Sequence, residues 1–378
     1  MKSKILKFFR KMIIAMSVVV GVILLVTILF VSISPQFGGK ATEEQKANYR
    51  KSKHYQDGIF VNTKRVQMDM SLRDMGKSII DYLKSQPNTT PKNDIPVEKS
   101  DSISIADYSG ETRLIWFGHS TFLLQIHNKN ILIDPMLGDV PAPHPMLGGK
   151  RFSKQLPIEI EKLPQIDAVI LSHDHYDHLD YGSIKKLKDK VKAFYMPLGV
   201  GVHLQEWGIE KSLINELDWW QEIAFEELQL VCTPAQHFSG RGFSDRAKTL
   251  WSSWVIQSDK EKIYFSGDSG YADHFKVIGD TYGPFDFAMM ECGQYNEKWP
   301  EIHMFPEETA QAGLDVRAKR IMPIHWGAFK LAMHTWTDPV ERVTKKAKEL
   351  GVEVITPKIG ESIFLKEGTN ANNDWWKE

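Results

Sequence analysis

Residues 166–182 read IDAVILSHDHYDHLDYG, and this stretch decides both the fold and the chemistry that the sequence predicts. Its apolar run at 168–171 is rich in β-forming residues and predicts a buried strand that ends at Ser172. The chain then presents three imidazoles and a carboxylate in close succession, at His173, His175, Asp177 and His178. Borderline divalent ions such as zinc prefer these ligands, so the stretch predicts a metal site. Positions 173 and 175 can reach one ion and positions 177 and 178 a second. The alternative is a solvated, histidine-rich turn.

Further residues of metal-binding type stand after predicted strands in the second half of the chain. His237 follows the strand 228–233, Asp268 follows the strand 262–265, and His325 follows the strand 321–324. A single histidine near a strand end is more often hydrogen-bonded within the protein than bound to a metal. Their order and spacing after His-x-His-x-Asp-His nevertheless favour a shared metal site.

The composition excludes some classes of protein. A net charge of −1 over 378 residues argues against a nucleic-acid partner held by bulk electrostatics. Cys232 and Cys292 are the only cysteines and lie far apart, so no disulfide framework exists. Both stand beside apolar runs, which predicts buried, inert thiols.

The N-terminus predicts a membrane anchor. Residues 1–11 form a basic tail, and residues 12–33 contain no charge and are long enough to cross a bilayer. A cleaved signal peptide is the alternative, but its apolar region is usually shorter and no Ala-x-Ala-like site follows. The positive-inside rule puts the tail in the cytoplasm and the rest of the chain on the extracytoplasmic side. Lysines and arginines between residues 40 and 53 weaken that assignment.

The rest of the chain divides by pattern. Residues 34–106 read as an irregular polar arm, an amphipathic helix at 66–84 and a proline-bearing linker at 85–101. Residues 107–366 predict the catalytic domain, followed by a C-terminal tail at 367–378. Predicted strands fall at 113–118, 121–126, 130–133, 168–171, 191–196, 228–233, 251–257, 262–265, 287–290 and 321–324. Predicted helices fall at 182–190, 271–279, 306–318 and 338–350, which suggests sheets packed together with helices outside.

The metal motif resembles that of the metallo-β-lactamase superfamily, whose signature is His-x-His-x-Asp-His followed by a His, an Asp and a His. The chain is similar in particular to the N-acylphosphatidylethanolamine-hydrolysing phospholipase D branch. The stretches that carry this resemblance occur in the same order: GHS (118–120), SHDHYDHLDY (172–181), LDWW (217–220), PAQH (234–237), LWSSW (250–254), SGDSGY (266–271), GPFD (283–286), PEE (306–308) and IHWG (324–327). The resemblance implies an αββα sandwich of α/β (α+β) class, preceded here by a transmembrane helix that the animal enzymes of the branch lack.

The resemblance also implies roles for single residues. It implies a ligand set shared between two divalent ions, with His173, His175 and His237 on the first, Asp177, His178 and His325 on the second, and Asp268 bridging both. Such ions, zinc by ligand type, would hold a bridging hydroxide and neutralise the charge of a phosphodiester. Iron or manganese could use the same ligands.

Other residues near the motif are expected to support the site. His303 is in register with a pocket histidine of the resembled branch, so with Asp268 and Asp177 it is a candidate catalytic residue. A structural role for His303 is the alternative. Ser172, Asp174 and Asp180 are expected to orient the imidazoles, and His119 is expected to be a supporting residue.

The predicted function is therefore a membrane-anchored, zinc-dependent hydrolase of a phosphodiester. The predicted substrate is a phospholipid of the N-acylphosphatidylethanolamine type, cleaved in phospholipase D manner. One alternative is hydrolysis of a soluble ester, lactone or cyclic phosphodiester. An alternative of another class is a metal-stabilised binding module without catalysis. The sequence does not determine the oligomeric state.

Overall fold

A computed structural model describes residues 2–64, 66, 80, 87–365 and 374–377. The helices are α1 (Lys2–Ile33), α2 (Glu43–Tyr49), α3 (Ser102–Ala106), α4 (Tyr181–Leu187), α5 (Gly201–Glu206), α6 (His274–Tyr282), α7 (Pro306–Asp315) and α8 (Asp338–Leu350). The predicted amphipathic helix at 66–84 lies almost entirely outside the described residues.

The strands before residue 220 are β1 (Tyr55–Gln56), β2 (Ile59–Phe60), β3 (Arg113–Trp116), β4 (Phe122–Ile126), β5 (Lys129–Ile133), β6 (Ala168–Ile170), β7 (Phe194–Pro197) and β8 (Ile214–Leu217). The later strands are β9 (Glu222–Phe225), β10 (Leu228–Thr233), β11 (Ser253–Gln257), β12 (Lys262–Phe265), β13 (Phe287–Glu291), β14 (Arg320–Ile324), β15 (Glu353–Val354) and β16 (Ser362–Phe364).

The strands form two seven-stranded sheets and a small hairpin, β1–β2. The first sheet has the order β16-β3-β4-β5-β6-β7-β8, and the second has the order β15-β14-β13-β12-β11-β10-β9. Strands β5 to β8 are parallel, as are β12 to β15, whereas the other neighbours pair antiparallel. The chain therefore builds one sheet from each half, with β16 returning to the first sheet at the end.

Each sheet is buried on both faces. In β4, Phe122 and Leu124 face the core between the sheets, whereas Leu123 faces the outer core with Ile184 of α4. The second sheet repeats this arrangement, with its outer face covered by α6, α7 and α8. A strand covered on both faces needs apolar residues at every position, which explains the continuous apolar runs in the sequence. The predicted αββα sandwich is confirmed.

The sequence predicted an irregular arm, but the arm contains regular secondary structure. Residues 42–60 contain α2, which begins at the capping box of Thr42 and Gln45, and the β1–β2 hairpin. Tyr49 and Phe60 join the core between the sheets, because they supply apolar surface at its margin. The arm therefore packs against the margin of the sandwich.

Helix α1 stands apart from that core. Of the described residues, the segment Lys4–Ile33 is long and apolar enough to cross a membrane, and its most apolar window has 0% of its residues buried inside the protein. The basic tail and the apolar stretch form one continuous helix. Just after α1 in the chain, the Pro35 carbonyl accepts a hydrogen bond from the Trp207 indole at 2.7 Å, which links the start of the arm to the rest of the fold.

Candidate metal centre

The candidate metal ligands meet at one edge of the sandwich because of strand direction. The motif at 173–178 follows β6, Asp268 follows β12, and His325 follows β14. His237 follows β10, which runs in the same direction as β12 because β11 is antiparallel to both. The carboxyl ends of strands that run the same way lie at the same edge of a sheet. Both sheets therefore contribute side chains to a single site.

The first cluster joins His173, His175, His237 and Asp268, whose ligand atoms all lie within 4.8 Å of one another. The Nδ1 atom of His175 is 2.9 Å from Nε2 of His173 and 3.2 Å from Nε2 of His237. The structure thus brings together the residues that the sequence assigned to the first ion.

The second cluster joins Asp177, His178, His325 and also His119, again within 4.8 Å. The His119 imidazole is fully buried, and its Nε2 lies 2.9 Å from Oδ2 of Asp177. His119 therefore contacts a candidate ligand directly. His119 follows β3 and so lies at the same edge of the sheet, and this position in the sequence could have identified it as a residue of the site.

Asp268 belongs to the first cluster and also contacts residues of the second. On one side its Oδ2 is 3.8 Å from Nε2 of His173 and 3.7 Å from Nε2 of His237. On the other side Oδ2 is 3.1 Å from Nε2 of His178, and Oδ1 is 3.1 Å from Nδ1 of His325. A carboxylate has two oxygens to offer, so this position suits a residue shared by two ions.

The residues fit a divalent ion. Two ligands that each lie about 2.1 Å from a tetrahedral zinc ion are about 3.4 Å apart, and the distances around Asp268 and His175 bracket that value. Nε2 of His178 and Oδ1 of Asp268 are buried without a hydrogen-bond partner. Buried polar atoms rarely lack partners, because leaving them unsatisfied costs about 1–3 kcal/mol. A cation bound here would satisfy both atoms.

Hydrogen bonds fix the tautomers of the imidazoles. The Ser172 hydroxyl donates to Oδ2 of Asp134 at 2.5 Å, so its oxygen accepts Nδ1–H of His173 at 2.9 Å. Nδ1–H of His178 donates to the same Asp134 oxygen at 2.7 Å. His237 donates Nδ1–H to the Ile302 carbonyl at 3.0 Å. In each case Nε2 is the ring nitrogen left for a ligand bond.

The predicted supporting residues separate into two groups. Ser172 orients the imidazole of a candidate ligand, whereas Asp174 and Asp180 contact none of the candidate ligands' imidazoles. Asp174 accepts from the Gly240 amide and from Nε2 of His203, and Asp180 caps α4 through the Ser183 amide. Asp134, which the sequence analysis missed, takes the expected role. It stands directly after β5, so the strand-end pattern could have identified it.

Burial and charge set the protonation of the site. Burial lowers the pKa of His173, His237 and His325 well below the usual value, which keeps these imidazoles neutral. Burial alone would lower the pKa of His178 as well, but Asp268 and two further carboxylates outweigh it and raise that pKa well above its usual value. The chain therefore concentrates negative charge beside His178, which a divalent ion would also neutralise.

A cavity of about 270 Å³ opens over the clusters and is lined by His303, Trp299 and Lys298 together with candidate ligands. Nδ1 of His303 is 3.3 Å from Oε1 of Glu291, which stands at the end of β13. Burial raises the pKa of Glu291 to about 7, and His303 partly offsets that rise. Burial would lower the pKa of His303, but Glu291 outweighs it and raises that pKa. The sequence analysis did not single out Glu291.

The arm reaches the site through Asn62. Its Nδ2 donates to the His237 carbonyl at 2.7 Å, and its Oδ1 accepts the His237 amide at 3.1 Å and the Trp251 indole at 3.0 Å. One amide side chain thus holds both backbone groups of a candidate ligand. No local pattern in the sequence indicates this contact, because 175 residues separate the two positions.

Backbone strain also collects at the site. His119, Asp134 and His325 have positive φ values of 55°, 39° and 68°. A side chain in this region costs about 1–3 kcal/mol, and such residues persist where surrounding contacts hold them. Gly267, at φ 56°, lies where a Cβ atom would come 2.5 Å from the Ser252 carbonyl, so only glycine fits beside Asp268.

Comparisons with known proteins agree with this geometry. Residues 129–326 match the family model described as the beta-lactamase superfamily domain. An uncharacterised protein of Mycobacterium tuberculosis is 40% identical over 343 residues, 89% of each chain. The N-acyl-phosphatidylethanolamine-hydrolyzing phospholipase D 1 of Caenorhabditis elegans is 34% identical over 245 residues, 61% of this chain and 68% of its own. An isothiocyanate hydrolase from Delia radicum gut bacteria has a similar fold, with a TM-score of 0.53 and 23% identity over 66% of this chain and 98% of its own.

Proposed function

The chain belongs to the β-lactamase superfamily as a metal-dependent hydrolase, and from this premise we propose that it hydrolyses a phosphodiester at a two-metal site. The observation that carries the proposal is the position of Asp268 between two clusters of imidazoles and carboxylates. One cluster would suffice for a single ion, whereas two clusters that share a carboxylate favour a pair.

The proposed ligands are those predicted from the sequence. His173, His175 and His237 would hold the first ion, Asp177, His178 and His325 the second, with Asp268 between them. Zinc is the proposed metal, since imidazole and carboxylate suit it. When bound, such ions activate water and neutralise the negative charge of a phosphodiester. His119, hydrogen-bonded to Asp177, would orient that carboxylate.

His303 is the proposed general acid. It lines the cavity, and Glu291 holds its Nδ1, so its Nε2 is the atom left to donate a proton to a leaving alkoxide. The raised pKa of His303 favours the protonated form that this role needs. Lys298 and Trp299 supply a cation and an aromatic face at the same cavity, which suits an anionic ester with an apolar body.

The proposed substrate is a phospholipid of the N-acylphosphatidylethanolamine type. Support comes from the Caenorhabditis elegans relative, which is named for that hydrolysis, and from helix α1. We propose that residues 12–33 anchor the chain in a membrane, with residues 1–11 in the cytoplasm and the catalytic domain outside it. The proposed catalytic domain spans residues 107–366, the arm and linker residues 34–106, and the tail residues 367–378.

The test uses the full chain purified in detergent without chelator. Elemental analysis should find two divalent ions per chain. Hydrolysis is measured on N-acylphosphatidylethanolamine, on bis-p-nitrophenyl phosphate and on a lactone. Asp268→Asn should lose bound metal and lower the rate at least about 100-fold. The substitution removes the negative charge of the carboxylate and replaces one of its two oxygens by an amide nitrogen. Asp167→Asn, at the opposite end of β6, is the matched control and should retain both.

The alternatives predict different results. Turnover of the lactone without turnover of either diester would favour the soluble-ester hydrolase. Two bound ions with no turnover of any substrate would favour a binding module. A protein without transition metal, or an Asp268→Asn variant with the rate of the unaltered chain, would overturn the two-metal proposal.

A further inference from the structure

Two loops expose large apolar side chains to an unusual degree. Among the described large apolar side chains beyond α1, the most exposed are Met146 at 86% and Phe243 at 85%; Ile103 follows at 71%, and Leu147, beside Met146, is 64% exposed. Single exposed apolar residues are common, but exposed groups on adjoining loops mark interaction surfaces. We call Met146, Leu147 and Phe243 the apolar rim.

Both loops contact the segment that follows α1 into the arm. The His144 ring lies 6.1 Å from the ring of Phe30, close to the end of the helix. On the other side, Nε of Arg241 donates to the Gln36 carbonyl at 2.8 Å. Both loops therefore contact residues 30–37. Each tip of the rim is only two or three residues from one of these contacts.

The tips are held in defined turns rather than folded onto the core. The Met146 amide donates to Nδ1 of His144 at 3.2 Å, which shapes the first tip. The Asp245 carboxylate accepts the amides of Arg241 at 3.0 Å and Gly242 at 2.8 Å, which shapes the second. These hydrogen bonds keep apolar side chains in water, where each forgoes about 1.5–3 kcal/mol of burial.

We propose that the apolar rim inserts into the headgroup region of the bilayer that α1 crosses. Residues 30–37, which both loops contact, continue directly from α1, so the rim lies near the end of the proposed membrane span. Exposed cations flank it at Lys150, Arg246 and Lys248, and these suit anionic lipid headgroups. The inference rests on the proposed anchoring and deepens it, because it assigns an orientation to the catalytic domain.

The rim also connects the bilayer to the cavity. Phe243 lies in the loop between β10 and β11, which also contains His237 and Phe238, and the Phe238 ring lies 4.6 Å from the ring of His175. Phe238 itself lines the cavity over the clusters. A phospholipid drawn from the membrane would thus pass from the rim along Phe238 to the candidate metal ligands. The apolar rim would therefore favour a phospholipid in the bilayer over a soluble substrate.

Lipid-quenching fluorescence on the full chain in vesicles tests the rim. An environment-sensitive label is placed at Met146→Cys or Phe243→Cys, which is selective because Cys232 and Cys292 are buried. Leu314→Cys is the matched control. Leu314 lies at the end of α7, close to the start of β14, and β14 runs from there toward the candidate site, so the control lies at the far edge of the sheet. A nitroxide at the lipid interface should quench the rim labels at least about five-fold more than the control.

A label at Ile23→Cys, measured with a nitroxide deep on the lipid acyl chain because residue 23 lies at the middle of the proposed span, separates the two proposals. Strong quenching at 23 with control-level quenching at 146 and 243 would overturn the rim and leave the anchor standing. Absence of quenching at 23 would overturn the anchor itself. A rim label that is shielded from water but not quenched by lipid would indicate a protein partner, such as a second copy, and would also overturn the rim.

Kinetics give a second readout. The double variant Met146→Ser, Phe243→Ser should lower kcat/KM about ten-fold on vesicle-presented phospholipid, since it removes two apolar contacts with the bilayer. Its rate on soluble bis-p-nitrophenyl phosphate should stay unchanged, as should both rates of Leu314→Ser. Equal losses on the two substrates would overturn the role of the rim, because the damage would then lie in the catalytic site.

Discussion

His303 lies beside the candidate ligands, and Glu291 holds one of its ring nitrogens. Its role can be tested with two substrates, one whose leaving group needs a proton and one whose leaving group does not. We expect His303→Gln to lower kcat on N-acylphosphatidylethanolamine by about 100-fold or more, because the alkoxide that leaves needs a proton. On bis-p-nitrophenyl phosphate the loss should be small, since p-nitrophenolate leaves without one.

Metal content is the control for that variant and should not change. Equal losses on both substrates would show that His303 binds the phosphodiester rather than protonating its product. A loss of bound metal would instead make His303 a ligand, which its closeness to Asp268 and His325 would explain.

Asn62 offers a second test at the scale of one residue. Removing its amide by Asn62→Ala frees both backbone groups of His237, so we expect metal affinity to fall about 10–100-fold, as for other residues that orient ligands. The measurement is competition with a fluorescent chelator. Asn215→Ala is the matched control, because it removes a hydrogen bond to the Phe194 carbonyl at a distant sheet edge. A metal affinity equal in the two variants would contradict the role of Asn62.

The arm is one element whose stability should depend on pH. His54 packs on Trp219 with ring centroids 4.3 Å apart, and burial lowers its pKa. In the unfolded chain His54 binds a proton near pH 6.5, whereas in the folded arm it stays neutral at that pH. The free energy of unfolding should therefore fall as the pH drops through that range. One such group contributes at most about 1.4 kcal/mol per pH unit.

Urea unfolding at pH 7.5 and pH 5.5 measures this effect. His54→Phe keeps an aromatic ring against Trp219 and cannot be protonated, so it should lose part of the decline in the unfolding midpoint. His127→Gln, in the turn between β4 and β5, should decline like the unaltered chain. An undiminished decline in His54→Phe would assign the pH dependence to other groups.

The sequence predicted every inner strand of the two large sheets and missed the strands at their edges. The missed strands β8, β9, β15 and β16 are the four edge strands. Inner strands are covered on both faces and read as apolar runs, whereas β9 has the exposed Glu222 and Ala224 in alternation with less exposed residues. Edge strands are short and half-solvated, so their sequences resemble loops.

The same contrast holds at the site. The motif at 173–178 and the single residues His237, Asp268 and His325 could be predicted because strand ends carry them to one edge. The structure brings those side chains together, and their assignment as ligands stays a prediction. Asn62 could not be predicted, since it depends on how the arm packs across the finished sandwich.

For the whole molecule, α1 should be dispensable for folding. None of its most apolar window is buried, and its described ring contacts with the rest of the chain are those of Phe30 with Phe37 and His144. We expect deletion of residues 2–33 to leave the thermal midpoint within about 3 °C, because little buried surface is lost. The truncated chain should remain in the aqueous phase, whereas the full chain should partition into detergent. A large drop in the midpoint would show that α1 packs on the domain.

Because each sheet supplies only part of the candidate metal centre, the complete set of candidate ligands exists only after both halves of the chain have folded together. His325, the final contributor, is made long after α1 has left the ribosome. If the proposed ions bind only this complete set, the compartment in which His325 joins the fold would have to provide them. If the domain is exported as proposed, the metal supply outside the cytosol would set how much protein matures, and shortage of that supply would leave an intact but empty protein.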